Sequence, residues 1–131
     1  AALLDTYEDR ETAYRLTKEL MRAHPEVTGI YVTSYNGVGV CDALSDLGLA
    51  DKVVVIGQDI YPEIADRLRS GAMNATLFQN QFEYAREGLR CLYQYMIGER
   101  VSKDCFKSRA PGLELRCMVD NYPDYLKGNS K

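Results

Sequence analysis

Residues 52–57, Lys52-Val53-Val54-Val55-Ile56-Gly57, decide the fold. Four β-branched apolar residues in a row leave no polar side for water, the mark of a strand covered on both faces. The chain around this run is helical in period. Upstream, Val40, Cys41, Leu44 and Leu47 line one helix face, Asn36 is placed to cap its start, and Gly48 stops it. Downstream, Pro62 suits a first helical turn, Ile64, Ala65 and Leu68 point one way, and Gly71 ends the segment.

The same alternation continues outward. Residues 28–33 (TGIYVT) and 73–78 (MNATLF) read as strands. A helix over 8–23 carries Ala13, Leu16, Leu20 and Met21, with Thr6-x-x-Asp9 as its expected capping box. His24-Pro25 closes it, because the residue before proline is pushed out of helical geometry, and the His24 ring is expected against the terminal carbonyls. A last helix over 82–98 shows Phe82, Ala85, Leu89, Leu92, Tyr93 and Met96 on one side and stops at Gly98. Helices alternating with strands at this spacing imply parallel strands joined by right-handed crossovers. The expected fold is therefore α/β: an open, mainly parallel sheet with helices on both faces and a core over 5–98.

Beyond residue 98 the pattern changes. Residues 99–112 are polar and hold Pro111-Gly112, a loop. Leu113, Leu115, Cys117 and Val119 then alternate with Glu114, Arg116, Met118 and Asp120, a half-buried or edge strand within 99–121. Residues 122–131 read as a C-terminal tail. Ala1 to Leu4 resemble the end of a strand that starts elsewhere, so the chain is expected to be a fragment of a longer protein. Its unpaired sheet edges would be met by the tail strand or by a second copy.

Composition narrows the function. Of 131 residues, 46% are hydrophobic and 27% charged, an ordinary globular mixture. The net charge is -3 with no basic stripe, which argues against gripping a phosphate backbone. No apolar run approaches the about 18 residues of a membrane span. The single histidine, His24, excludes a His-rich metal site. Cys41, Cys91, Cys105 and Cys117 form no CxxC pair and no zinc spacing, so four reduced thiols and a cytoplasmic location are expected. No nucleophile–base pair, GxSxG elbow or P-loop is visible, and neither a catalytic function, a cofactor nor a metal is expected.

In open parallel sheets, ligands bind outside the carboxyl ends of the strands. That rule selects Thr33-Ser34-Tyr35-Asn36, Gln58-Asp59-Ile60-Tyr61 and Gln79-Asn80-Gln81. Hydroxyls, amides and a carboxylate beside aromatic rings suit a neutral sugar, whose hydroxyls they bind and whose C–H face a ring covers. The plainer reading is that Asn36 and Asp59 cap helices. Gly37-x-Gly39 with Asp59 about 20 residues on has the outline of a dinucleotide fingerprint. Asp42 at the third glycine position argues against it.

HPEVTGIYVTS, GVGVCDAL and VVVIGQD, followed by RLRSGAMNATLFQNQFEYAREGLRCLYQYMIGE and LELRCMVDNYPDYL, resemble the second lobe of LacI-type effector domains and of ribose-type periplasmic sugar-binding proteins. The resemblance spans roughly residues 5–126. It implies a periplasmic-binding-protein-like fold of two lobes closing on a sugar, of which this chain is the second lobe, incomplete, its last helix belonging with the first. Asp59 matches the family aspartate and Gln79 the crossing-strand glutamine, both ligand contacts. The usual Asn-Asp pair falls on Thr33-Ser34, a departure that Tyr35 and Asn36 are expected to offset. The resemblance implies an effector-binding lobe of a LacI-type transcriptional regulator: a homodimer reaching DNA only through an absent helix-turn-helix domain, with no membrane partner. The alternative it implies is a solute-binding protein of a sugar importer, located outside the cytoplasm.

Overall fold

The computed structural model describes residues 2–79, 81–101 and 112–115. The elements run α1 (Arg10–Ala23), β1 (Gly29–Tyr31), α2 (Gly37–Asp46), β2 (Val54–Gln58), α3 (Pro62–Ser70), β3 (Ala75–Phe78), α4 (Gln81–Met96) and β4 (Gly112–Leu115). The chain forms two compact units. One is Ala1–Phe78 with Leu113–Lys131, and the other is Gln79–Gly112.

The sheet order is β1-β2-β3-β4. β1 runs parallel to β2 with Gly29 opposite Val54 and Tyr31 opposite Ile56. β2 runs parallel to β3 with Ile56 opposite Ala75 and Gln58 opposite Leu77. The tail strand β4 lies beside β3, at an edge as expected. The rest of the expected 113–119 strand and the tail lie outside the described residues.

Both crossovers step the same way across the sheet, and right-handed connections then place α2 and α3 on the same face. Val55, Ile64, Leu68 and Met73 are fully or almost fully buried there, with Ala13 of α1 and Leu44 of α2. The run Lys52 to Gly57 therefore alternates in burial, which corrects the expectation of a strand covered on both faces: Val53 and Val55 are buried, whereas Val54, on the other face with Tyr31, is 50% exposed. No helix of this unit covers that second face among the described residues.

Small residues set the helix spacing. A Cβ added at Gly39 would sit 2.5 Å from the Arg10 carbonyl oxygen, so this glycine lets α1 and α2 approach. Gly37 abuts Met73 and Ile64 in the same way. The Gly-x-Gly spacing thus answers to packing. Asp42 joins the three helices, accepting from Arg10 at 2.6 Å and from Arg67. Pro62 opens α3, and Gly71, with φ 83°, ends it in the left-handed conformation that glycine adopts without strain.

The start of α1 differs from expectation. Tyr7 and Glu8 have φ of 50° and 55°, closing a turn in which the Asp9 N–H donates to the Thr6 carbonyl at 2.9 Å. The helix cannot begin inside that turn, so the cap is Asp9, whose carboxylate accepts from the Thr12 N–H at 2.6 Å. At the other end the His24 ring lies 3.1 Å from the Glu26 carboxylate rather than against the helix carbonyls.

The cysteines also differ. Cys41 is the buried free thiol expected, and desolvation pushes it up to about 12, which makes it a poor nucleophile. Cys91 is disulfide-bonded, which corrects the expectation of four reduced thiols. A cysteine on an apolar helix face carries no local sign of a partner distant in sequence. Cys105 and Cys117 lie outside the described residues. In the second unit, Leu89, Leu92, Tyr93 and Met96 of α4 are more than half exposed, so its apolar stripe faces solvent.

Candidate functional site

Parallel strands bring their carboxyl ends to one edge. The loop after β1 and the loop after β2 are therefore neighbours, and a contact between them shows it. The rings of Tyr35 and Tyr61 stack with centroids 4.0 Å apart and planes 18° from parallel. The Tyr61 hydroxyl donates to the Tyr35 carbonyl at 2.7 Å. Burial and the neighbouring Tyr35 hold the Tyr61 phenol well above its ordinary pKa.

Asp59 directly follows β2 in an unusual backbone state. Its φ is 62°, a region that costs an L-residue roughly 1–3 kcal/mol and persists only where the surroundings impose it. Here β3 imposes it. The Asp59 N–H donates to the Leu77 carbonyl at 2.7 Å. The Thr76 hydroxyl donates to the Asp59 carbonyl, also at 2.7 Å, and Thr76 is fully buried. This turns the chain sharply at the strand end instead of letting the ladder continue.

The other expected residues sort into three kinds. Thr33 and Tyr35 are exposed and Ser34 is half-buried, all in the loop after β1. Asn36 is buried and at the N-cap position of α2 but makes no side-chain cap bond. Its amide instead pairs with the Thr6 hydroxyl at 3.0 Å, tying the turn before α1 to the start of α2. It acts as scaffold. Gln79 directly follows β3 in the chain and belongs to the second unit. Thr76 was not among the expected site residues, and Tyr61 lay in a selected loop without a role of its own. A threonine in mid-strand reads as ordinary β-propensity, and a tyrosine before Pro62 carries no mark of its stacking partner.

The described residues hold no group of three or more His, Cys, Asp or Glu able to bind a metal ion. None of their helices is long and apolar enough to cross a membrane.

The sequence profile of the periplasmic binding protein domain family matches residues 2–100. The chain belongs to that family. Among its relatives, the D-allose-binding periplasmic protein of Escherichia coli is 28% identical over 108 residues, covering 82% of this chain and 34% of the relative. The ribose import binding protein RbsB of Salmonella typhimurium is 28% identical over 94 residues, 71% of this chain and 31% of the relative. The chain thus spans about a third of the length of these curated relatives. A solute-binding protein of an ABC transporter from Agrobacterium vitis, solved with bound D-fucose, superposes with a TM-score of 0.83 at 21% identity, over 95% of this chain and 42% of that one. A second, from Actinobacillus succinogenes with bound D-allose, gives 0.82 at 21% identity, over 91% and 42%. The periplasmic-binding-protein-like fold is the one the resemblance implied.

Proposed function

We propose that this chain is the second, sugar-binding lobe of a solute-binding protein that delivers a neutral sugar to an importer. The observation that carries the reading is Asp59: a carboxylate residue forced into the left-handed region at the carboxyl end of β2 and fixed there by two bonds to β3. Strain of this kind gathers where geometry serves a ligand. Asp59 receives the sugar hydroxyls, with Thr33 and Ser34 as further hydrogen-bonding groups and Tyr35 as ring contact.

The curated relatives reported above bear the names of periplasmic and import proteins, which favours transport over the expected LacI-type regulator and its DNA partner. The disulfide at Cys91 supports the same choice, because such bonds persist in oxidising compartments. We therefore place the protein outside the cytoplasm. The exposed apolar stripe of α4 supports a place within a larger, two-lobed body. A non-catalytic role follows from the same reading.

Thermal-shift screening of D-allose, D-ribose, D-fucose and D-arabinose, followed by calorimetry on any stabilising sugar, tests the proposal. At least one sugar stabilises the chain, and Asp59→Ala weakens it by about 1.5–3 kcal/mol, the range for hydrogen bonds to a charged group. Equal affinity for wild type and Asp59→Ala would remove Asp59 from the site.

A further inference from the structure

Two local rules are broken next to each other at the strand ends. Asp59 occupies a backbone region that disfavours L-residues. Two residues on, Tyr61 takes the N-cap position of α3, where Ser, Thr, Asp or Asn would serve the helix better, and it makes no side-chain cap bond. Such breaches in an otherwise consistent sequence collect at functional positions. What Tyr61 does instead is support Tyr35. One face of the Tyr35 ring lies on Tyr61, and the Tyr61 hydroxyl is spent on the Tyr35 carbonyl. Tyr35 nevertheless remains 60% exposed, directly after Thr33 and Ser34. An aromatic ring held from behind, with most of its surface open beside hydrogen-bonding groups, is a prepared apolar platform.

We propose that Tyr35, backed by Tyr61, is the surface on which the C–H face of the sugar rests, so that this site selects ring-closed sugars over their open-chain alditols. The inference rests on the sugar-binding reading and adds its selectivity. Thr33 and Ser34 have short side chains and hold their hydroxyls close to the backbone. The platform supplies orientation that those two side chains do not. A closed ring presents its C–H groups together on one face, and an open chain does not. Tyr61 is a positioning residue in this account and Tyr35 the contact.

Saturation-transfer NMR on the 131-residue chain tests this, with D-allose and its alditol, allitol, as probes. The chain has ten tyrosines, three phenylalanines and no tryptophan, so irradiating the aromatic protons saturates mainly tyrosine rings. Wild type transfers saturation to the ring C–H protons of D-allose and binds it at least about tenfold better than allitol. Tyr35→Leu weakens D-allose about tenfold, near the upper range for an aromatic contact, and leaves allitol unchanged. Tyr35→Phe binds like wild type, which separates the ring from the hydroxyl and controls for folding. Tyr61→Phe keeps the stack but frees the Tyr35 carbonyl, and weakens D-allose about threefold without affecting allitol. If Tyr35→Leu binds D-allose as wild type does while Asp59→Ala does not, the platform is overturned and the sugar reading stands. If neither D-allose, D-ribose, D-fucose nor D-arabinose binds wild type, both fall together.

Discussion

The buried Thr76 hydroxyl donates to the main-chain carbonyl of Asp59 at 2.7 Å, across the boundary between β3 and the end of β2. The bond ties a core residue to the residue proposed to bind the sugar. It converts the packing of the sheet into a fixed backbone angle at the site.

Thr76→Val keeps the shape of the side chain and removes that donor. The Asp59 carbonyl is left without its side-chain partner, and stability falls by about 1–2 kcal/mol. Urea unfolding measures the loss. Sugar affinity falls with it, because Asp59 is no longer held in place. A variant as stable as wild type would mean that the hydroxyl bond contributes nothing.

Asp59→Gly has the opposite effect on stability. Glycine reaches φ 62° without steric cost, whereas an L-residue there gives up about 1–2 kcal/mol. After the extra flexibility of glycine in the unfolded chain is subtracted, the variant gains about 0.5–1 kcal/mol while losing the carboxylate. Denaturant midpoints decide this. A destabilised glycine variant would show that the Asp59 side chain contributes more than its backbone conformation costs.

Two helix glycines separate close packing from open surface. Ala is the better helix former by about 1 kcal/mol, and Gly88→Ala in α4 meets nothing within 4 Å, so it stabilises by up to that amount. Gly39→Ala reaches the Arg10 carbonyl at 2.5 Å and forces α1 away from α2, costing about 1–3 kcal/mol net. Thermal unfolding of the two variants moves in opposite directions. Similar shifts in both would remove the close approach of the helices from the account.

Tyr61 makes a prediction at alkaline pH. Its phenol is raised in the folded state by burial, so the folded chain holds that proton after the unfolded chain has lost its own. Stability contributed by the neutral phenol is complete below pH 10 and declines as pH rises from there toward the folded value. An ultraviolet titration shows a late tyrosine step, and Tyr61→Phe removes it. A titration in which the late step survives the substitution would assign it elsewhere.

Much of the fold was legible because its signals are local. Val53 to Ile56, the helical period through Val40, Cys41 and Leu44, Pro62 at one helix start and Gly48 and Gly71 after two helix ends each act within a few residues of themselves. The site was legible only in outline. The rule that ligands gather at strand ends pointed to Thr33, Ser34, Tyr35 and Asp59, and the motif resemblance singled out Asp59 and Gln79. The scaffold around them was not readable. The left-handed state of Asp59 depends on Thr76, 17 residues away, the Tyr35 ring on Tyr61, and the Asn36 amide on Thr6. These are contacts between residues distant in sequence, and no periodicity encodes them. The disulfide at Cys91 belongs to the same class. So does the half exposure of Val54, which follows from the direction in which successive crossovers step rather than from the run itself.

The most direct test of the central claim is to follow the backbone amides of the 131-residue chain by two-dimensional NMR while D-allose is added. If the carboxyl ends of β1 and β2 form the sugar site, the amides of Thr33 to Tyr35 and of Asp59 to Tyr61 shift together and saturate, and Asp59→Ala abolishes the response. Shifts confined to other parts of the sheet would contradict the placement of the site. No saturable shift with D-allose, D-ribose, D-fucose or D-arabinose would contradict the sugar-binding function itself.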